Sequence, residues 1–186
     1  MKVSIGCDHI VTDKKDEMVN FIESLGHEVI DNGTYDYERT HYPIYAKKTA
    51  ERVLNGEADV GVVICGTGVG IGASSNKVKG IRSALVRDVT TAVHAKEDWN
   101  ANIIGVGGRI VGQGLMEEIV ETFLNTDYVP TAEKESLIQA LEGPKDNDGG
   151  LNDENFFDDL LEKWDRGEYH NQREELTWER QNKKQR

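Results

Sequence analysis

The chain has 186 residues, of which 37% are hydrophobic and 30% charged, and its formal net charge at pH 7 is -12. This length fits one domain, or one domain with an appendage. The negative charge repels nucleic acids and anionic membrane surfaces, so neither is expected as a general partner, and any phosphate site must be locally positive.

The N-terminal segment MKVSIGCDH contains one lysine, a short apolar run and no cleavage-like site, so no signal peptide is predicted. No apolar stretch in the sequence approaches the length that spans a bilayer. The two cysteines, Cys7 and Cys65, are expected to be free thiols in a chain without an export signal. These features predict a soluble cytoplasmic protein.

Short apolar runs alternate along the chain with amphipathic segments of helix length. Strands are predicted over residues 2–7, 27–31, 58–65, 81–86 and 102–106. Helices are predicted over residues 13–25, 43–54, 69–77, 90–99 and 111–124. The alternation predicts an α/β fold with an open, doubly wound (Rossmann-like) five-stranded parallel sheet and helices on both faces.

The composition divides the chain into three parts. Residues 1–142 form the predicted domain, and residues 143–155 read as an acidic linker rich in Gly, Asn and Asp. Residues 156–186 are predicted to be a helical C-terminal extension with a loose, highly charged end. Its first part, FFDDLLEKW, places apolar residues on one helical face, so this helix is expected to dock, either as an assembly element or as a lid.

Ligands in doubly wound folds bind at the carboxyl ends of the strands, where three polar or glycine-rich loops fall, over residues 8–12, 66–70 and 107–109. The loop CGTGVG, residues 65–70, has three glycines that let backbone amides approach an anion. The helix predicted after it favours negative charge, including a thiolate at Cys65. A thiolate beside an anion cradle suits proton abstraction next to a carbonyl. The alternative is a glycine-rich turn with an inert cysteine.

The other two loops each carry one candidate group. Asp8 and His9 follow the first strand and are suited to bind sugar hydroxyls or phosphate, or else they are a capping aspartate and a solvated histidine. Arg109 follows two glycines after the fifth strand, where its guanidinium is suited to clamp an oxyanion, unless it is an ordinary surface arginine. No His, Cys, Asp or Glu spacing in the sequence indicates a metal site.

Five segments occur in the order found in one known family. They are GCDH near the start, RTHYP before a helix, ICGTGVG after the third strand, then NKVKGIRSALV and GGRIVG. Together they resemble the family of ribose-5-phosphate isomerase B and galactose-6-phosphate isomerase, over roughly residues 1–142.

The resemblance implies a role for each matching position. Cys65 would be the base that moves a proton between C1 and C2 of the sugar, and Thr67 would act beside it. Five residues of the loop would hold the enediolate oxygens: Gly66, Thr67, Gly68, Val69 and Gly70. Asp8 and His9 would contact the sugar phosphate, and Arg109 would lie at the same site. The family works without a metal ion or an organic cofactor.

The chain departs from the family pattern at two places. Ribose-5-phosphate isomerase B has a ring-opening histidine before the fifth strand, where this sequence has Asp98. It also has arginines that hold phosphate across a dimer interface, where this sequence has Ala132 and Ser136. The resemblance therefore implies a hetero-oligomer in which an A-type subunit supplies the ring-opening histidine and the phosphate-binding arginines.

These observations predict the cysteine-bearing subunit of an isomerase that interconverts D-galactose 6-phosphate and D-tagatose 6-phosphate through an enediolate. One alternative is a homomeric isomerase of ribose 5-phosphate or another hexose 6-phosphate. That enzyme would need Asp98 or another side chain to open the ring, and Arg39 or Arg109 to hold phosphate. A further alternative is a non-catalytic binding or regulatory subunit, which would have no need for the thiol of Cys65.

Overall fold

The computed structural model describes residues 1–142, together with Glu162 and Arg166. Residues Met1–Glu142 form one compact unit. The described residues do not include the predicted linker over residues 143–155. Of the predicted helical extension over residues 156–186, they include only Glu162 and Arg166. None of the helices in the described part of the chain has the length and apolar character needed to cross a membrane.

Strands and helices alternate along the described chain. The strands are β1 Lys2–Cys7, β2 Glu28–Asp31, β3 Val60–Cys65, β4 Ser83–Leu85 and β5 Ile103–Gly107. The helices are α1 Thr12–Ser24, α2 Tyr42–Leu54, α3 Val69–Ser75, α4 Val89–Glu97, α5 Gln113–Asn125 and α6 Ala132–Glu142. A single 3-10 turn, His9–Val11, connects β1 to α1.

The five strands form one parallel sheet in the order β2-β1-β3-β5-β4. The predicted open, doubly wound fold is therefore confirmed. From β1 the chain first winds outward to β2 and then returns to β3, which begins the other half of the sheet. In such folds ligands bind at the carboxyl ends of the strands where the winding reverses, which here lies between β1 and β3.

Helices cover both faces of the sheet, as predicted. One apolar core combines one face of the sheet with α1, α4 and α5, through residues such as Met18, Ala92 and Phe123. The second core lies on the other face and includes Ala46 of α2 and Ile71 of α3. All six residues of β3 are buried, which fits its run VGVVIC at the centre of a covered parallel sheet.

The structure differs from the sequence prediction mainly at β4 and α6. The predicted strand over residues 81–86 shortens to Ser83–Leu85, since the Ile81 amide binds Val78 in a turn and the Arg82 amide binds the Asn102 side chain. Helix α6 was not predicted. Its signals are Thr131, whose hydroxyl accepts the Lys134 amide, and two glutamates in the first turn.

Candidate active site

The three candidate loops lie side by side, because β1, β3 and β5 are neighbours and all end at the same edge of the sheet. Backbone hydrogen bonds continue beyond the strands and tie the loops together. The Asp8 amide donates to the Ile64 carbonyl at 2.8 Å, and the Gly108 amide donates to the Cys65 carbonyl at 2.8 Å. The sequence prediction that these loops share one edge is therefore confirmed.

Cys65 is the last residue of β3 and is 6% exposed. Its Sγ accepts a hydrogen bond from the Gly68 amide at 3.1 Å, so the loop folds back over the sulfur. Cys7, which ends β1, is a different kind of cysteine. It is fully buried, its Sγ lies 3.2 Å from the Thr34 hydroxyl, and burial raises the pKa of its thiol.

Gly68 fixes the shape of the loop that follows Cys65. Its φ of +80° lies in the left-handed region, which a residue with a side chain rarely adopts. A Cβ at this position would stand 2.9 Å from the Val106 carbonyl carbon and 3.1 Å from the Gly107 amide nitrogen. The loop therefore rests directly on the backbone of β5, and only glycine allows this approach.

The loop presents several hydrogen-bond donors at the carboxyl edge of the sheet. The Gly68 amide binds the sulfur of Cys65, and the Val69 amide donates to the Thr67 hydroxyl at 3.3 Å. Among the described residues, the amides of Gly66, Thr67 and Gly70 have no hydrogen-bond partner. Thr67 and Val69 are exposed, so the outer side of the loop is open to a ligand. Unpaired amides around a sulfur are suited to hold an oxyanion.

Asp8 and His9 lie at the end of β1, next to the strand that carries Cys65. Asp8 is 7% exposed, and one carboxylate oxygen accepts the Ile10 amide at 3.0 Å, so Asp8 caps the 3-10 turn. The same oxygen lies 3.0 Å from Nδ1 of His9, but this nitrogen makes no well-aligned hydrogen bond within the described residues. Capping and ligand binding are compatible here, because the other carboxylate oxygen takes no part in the cap.

Arg109 follows β5, and its amide donates to the Gly66 carbonyl at 3.1 Å. Its Cδ lies 4.0 Å from the point where a Cβ of Gly66 would stand, so the side chain passes close to the loop. Within the described part of the chain the guanidinium makes no ion pair. A free guanidinium beside open amides gives this edge a local positive charge in an otherwise acidic protein.

Tyr42 lies within the RTHYP segment and borders the candidate site, although the sequence analysis gave it no role. It begins α2, and its ring lies against Gly70, where a Cβ would stand 2.8 Å from Cζ and 2.9 Å from the hydroxyl oxygen. The signal in the sequence is RTHYP, in which Pro43 opens the helix. The exposed Arg39 and His41 have no hydrogen bond or ion pair to the cysteine loop.

Asp98 lies at the opposite edge of the sheet, because it precedes β5 whereas Cys65 ends β3. Its carboxylate contacts His94 Nδ1 at 2.6 Å and Lys134 Nζ at 2.8 Å. Hydrogen bonds from Lys134 and His94 hold the pKa of Asp98 below its ordinary value. Asp98 is thus an ionised residue that binds α6. Within one chain, Asp98 and Cys65 lie at opposite ends of the strands and cannot act on the same substrate.

The described residues contain no cluster of three or more His, Cys, Asp or Glu side chains that could hold a metal ion. The candidate groups are instead a thiol, open amides, a hydroxyl, an imidazole and a guanidinium. This set is suited to acid–base chemistry on an anionic substrate.

Comparisons with known proteins identify relatives of this chain. Residues 3–141 match the ribose/galactose isomerase family. The chain is 58% identical to galactose-6-phosphate isomerase subunit LacB of Clostridium acetobutylicum over 91% of its own length and 98% of the relative's. It is 41% identical to ribose-5-phosphate isomerase B of Escherichia coli over 68% of its own length and 85% of the relative's.

Solved structures show the same architecture. Ribose-5-phosphate isomerase B of Clostridium thermocellum has a TM-score of 0.75 at 39% identity, covering 77% of this chain and 96% of that one. The Mycoplasma genitalium enzyme, solved with bound ribulose-5-phosphate, has a TM-score of 0.73 at 30% identity, covering 78% of this chain and 97% of that one. The chain therefore belongs to the ribose/galactose isomerase family and is a sugar-phosphate isomerase.

Proposed function

We propose that this chain interconverts D-galactose 6-phosphate and D-tagatose 6-phosphate, with Cys65 as the base. The observation that carries the proposal is the position of the Cys65 sulfur, which the Gly68 amide holds at 3.1 Å inside a loop with unpaired amides. The choice of the hexose is supported by the 58% identity to a galactose-6-phosphate isomerase subunit.

The chemistry follows from the groups around the sulfur. The thiolate of Cys65 removes the proton from C2 of the open-chain aldose, and the electron pair of that bond forms the enediolate. The amides of Gly66, Thr67 and Gly70 stabilise the negative oxygen, because a preorganised donor acts most strongly where charge develops. The thiol then returns the proton to C1, while the hydroxyl proton moves from O2 to O1, and the ketose results. The exposed hydroxyl of Thr67 is placed to assist that second transfer.

We propose that the sugar ring is opened, and its phosphate held, by an A-type partner subunit. The support is the residues that this chain has at the positions of the family's ring-opening histidine and phosphate-binding arginines. Asp98 is committed to Lys134 and His94, and α6 has Ala132 and Ser136 where phosphate-binding arginines are expected. Asp98 also lies at the edge of the sheet away from Cys65, so a complete site needs a second chain.

A homomeric isomerase of ribose 5-phosphate is the second candidate, favoured by the 41% identity to ribose-5-phosphate isomerase B of Escherichia coli. It would require Asp98, or another side chain, to act as an acid–base group on the sugar ring. The contacts of Asp98 with His94 and Lys134 oppose this role for Asp98, since they stabilise the carboxylate and engage both of its oxygens.

The test is an isomerisation assay on galactose, ribose and allose phosphates, with the full chain alone and co-expressed with an A-type subunit. We expect turnover of galactose 6-phosphate by the pair and little by the chain alone. Full-rate turnover of galactose 6-phosphate by the isolated chain would contradict the need for a partner. A preference of the pair for ribose 5-phosphate would contradict the proposed substrate.

A further inference from the structure

Arg87 lies two residues beyond the end of β4, and extrapolating the register of the sheet places it level with Cys65. The register pairs Leu85 with Gly105 and Cys65 with Gly107. The Val86 amide donates to the Gly105 carbonyl, so the ladder continues one residue beyond β4. Extending it by one more residue brings Arg87 opposite Gly107. The three residues then form one row, with Arg87 two strand spacings, or about 10 Å, from Cys65.

The same row places Arg87 on the face of the sheet that carries Cys65. Val86 is fully buried in the core shared with α1 and α5, whereas Cys65 belongs to the opposite core. Leu85 points to the Cys65 side, since its Cδ1 lies 2.7 Å from where a Cβ of Gly68 would stand. Side chains alternate between faces along a strand, so Arg87 follows Leu85 to that side.

The residue between Arg87 and the loop along this row is Gly107. A Cβ on Gly107 would stand 2.5 Å from Cγ1 of Ile110 and 2.8 Å from the Thr67 carbonyl carbon, so the loop backbone and the Ile110 side chain fill that place together. Arg109 approaches the same loop from the Gly66 side. The loop therefore lies between two arginines, one following β5 and the other following β4.

Arg87 is also available for a ligand. It is exposed, and its guanidinium makes no ion pair or hydrogen bond within the part of the chain that the structure describes. Its neighbour Asp88 caps α4 instead, accepting the Thr91 amide at 2.8 Å. In a protein of net charge -12, an arginine left without a carboxylate beside a reactive loop is suited to attract an anion.

We propose that Arg87 is a further substrate-binding residue, which holds an anionic oxygen of the sugar phosphate on the side of the loop away from Arg109. The proposal rests on the proposed isomerase function of this site. The oxygen belongs either to the phosphate or to the enediolate, and both present the same chemistry to a guanidinium. Arg87 acts by contact with the substrate, and proton transfer remains with Cys65.

The experiment compares R87Q and R87K with the parent in the full chain, assembled with its A-type partner where turnover requires it. Arg52→Gln is the matched control, because Arg52 is a half-exposed arginine near the end of α2 that is paired with Glu57. The measurements are kcat and KM for galactose 6-phosphate and the affinity for inorganic phosphate. Urea unfolding and oligomer size confirm that each variant is folded and assembled.

We expect R87Q to lower kcat/KM at least tenfold and R87K to recover part of the loss. A raised KM with weaker phosphate binding assigns Arg87 to the phosphate, and a lowered kcat with unchanged phosphate binding assigns it to the enediolate. Parent-like kcat/KM in folded R87Q, or an equal loss in Arg52→Gln, would overturn the proposal. The affinity for inorganic phosphate is also measured in a Cys65→Ala background, with and without R87Q. That background lacks the proposed base, so a loss of affinity there reports on Arg87 and not on the proposed role of Cys65.

Discussion

Charged groups beside the cysteine loop and beside α6 differ in whether they are paired. At the carboxyl edge, the guanidinium groups of Arg87 and Arg109 have no partner among the described residues. At the other edge, charges are paired: Asp98 contacts Lys134 at 2.8 Å, and Arg82 contacts Glu142 at 2.6 Å. The arginines beside the cysteine loop are therefore unpaired, whereas the charged groups that contact α6 are paired.

The same contrast applies to backbone packing. Around the cysteine loop, Gly68 and Gly107 have no space for a side chain. At Gly68 the loop rests on the backbone of β5, and at Gly107 the Ile110 side chain and the Thr67 backbone fill the place of a Cβ. Near the start of α5, a Cβ added at Gly112 or Gly114 would meet no other atom within 4 Å. Packing therefore restricts Gly68 and Gly107 to glycine, whereas Gly112 and Gly114 have room for a side chain. Amino-acid replacements in the two kinds of region test this comparison.

The largest effect is expected for Cys65→Ala, which removes the proposed base. We expect turnover by the assembled enzyme to fall by about 10² to 10⁴-fold, the usual contribution of a positioned acid–base group. Cys7→Ala is the matched control, since Cys7 is a buried cysteine on the neighbouring strand whose pKa is raised by burial. Initial rates per folded molecule should remain near the parent value in Cys7→Ala. Unchanged turnover in Cys65→Ala would reject this residue as the base.

The next effect is expected for Gly68→Ala, which forces a side chain into the left-handed region and against the Val106 backbone. We expect the free energy of unfolding to fall by more than about 1 kcal/mol, together with a loss of activity. Gly114→Ala, in the first turn of α5, should instead leave stability equal or raise it by about 0.4–1 kcal/mol. Urea unfolding of both variants measures the difference. Equal free energies of unfolding for the two variants would contradict the tight packing inferred at Gly68.

A smaller effect is expected for Gly70→Ala, whose Cβ would meet the ring of Tyr42 at 2.8 Å. Tyr42 is 36% exposed, so the ring can move away and the fold should keep its stability. The displaced ring changes the rim of the site, and we expect KM to rise several-fold with kcat less affected. Pairing it with Tyr42→Ala in a double-mutant cycle is the check. Additive effects of the two substitutions would contradict a contact between them.

The smallest effect is expected for Asp98→Asn, which removes the charge that anchors α6. Because Lys134 and His94 lower the pKa of Asp98 in the folded state, its ionisation stabilises the fold above the ordinary pKa of 3.8. This contribution is lost as the pH falls through the lower folded-state pKa. The parent should therefore be more stable than Asp98→Asn at neutral pH, and the two should converge in acid. Denaturant unfolding at both pH values measures this, and a pH-independent gap would argue against the ion pair.

The sequence is sufficient to predict the sheet, the helices on its two faces and the shared edge of the three loops. Strand–helix alternation and the rule for strand ends depend only on local pattern, and they place Asp8, Cys65 and Arg109 at the correct edge. The observed strand and helix bounds differ from the predicted ones by at most two residues, because turns and side-chain hydrogen bonds take over at their ends, as at Arg82.

Contacts between distant segments are not predictable in this way. Tyr42 lies against Gly70, 28 positions later, only because α2 and α3 cover the same face of the sheet. Arg87 has no motif of its own and gains its position from the register of β4 with β5. The sequence leaves Asp98 open as a ring-opening group, and only the positions of His94 and Lys134 show that its charge is already committed.

Helix α6 buries none of its residues, and its charged contacts run from Lys134 to Asp98 and from Glu142 to Arg82. Detaching such a helix exposes little apolar surface, so the step carries only a small change in heat capacity. The enthalpy of opening therefore changes little with temperature, and the opening equilibrium depends on ionic strength, since salt screens partly exposed ion pairs. The rate of amide hydrogen exchange in α6 should then rise with salt concentration, while the exchange rate in the sheet should follow the global free energy of unfolding.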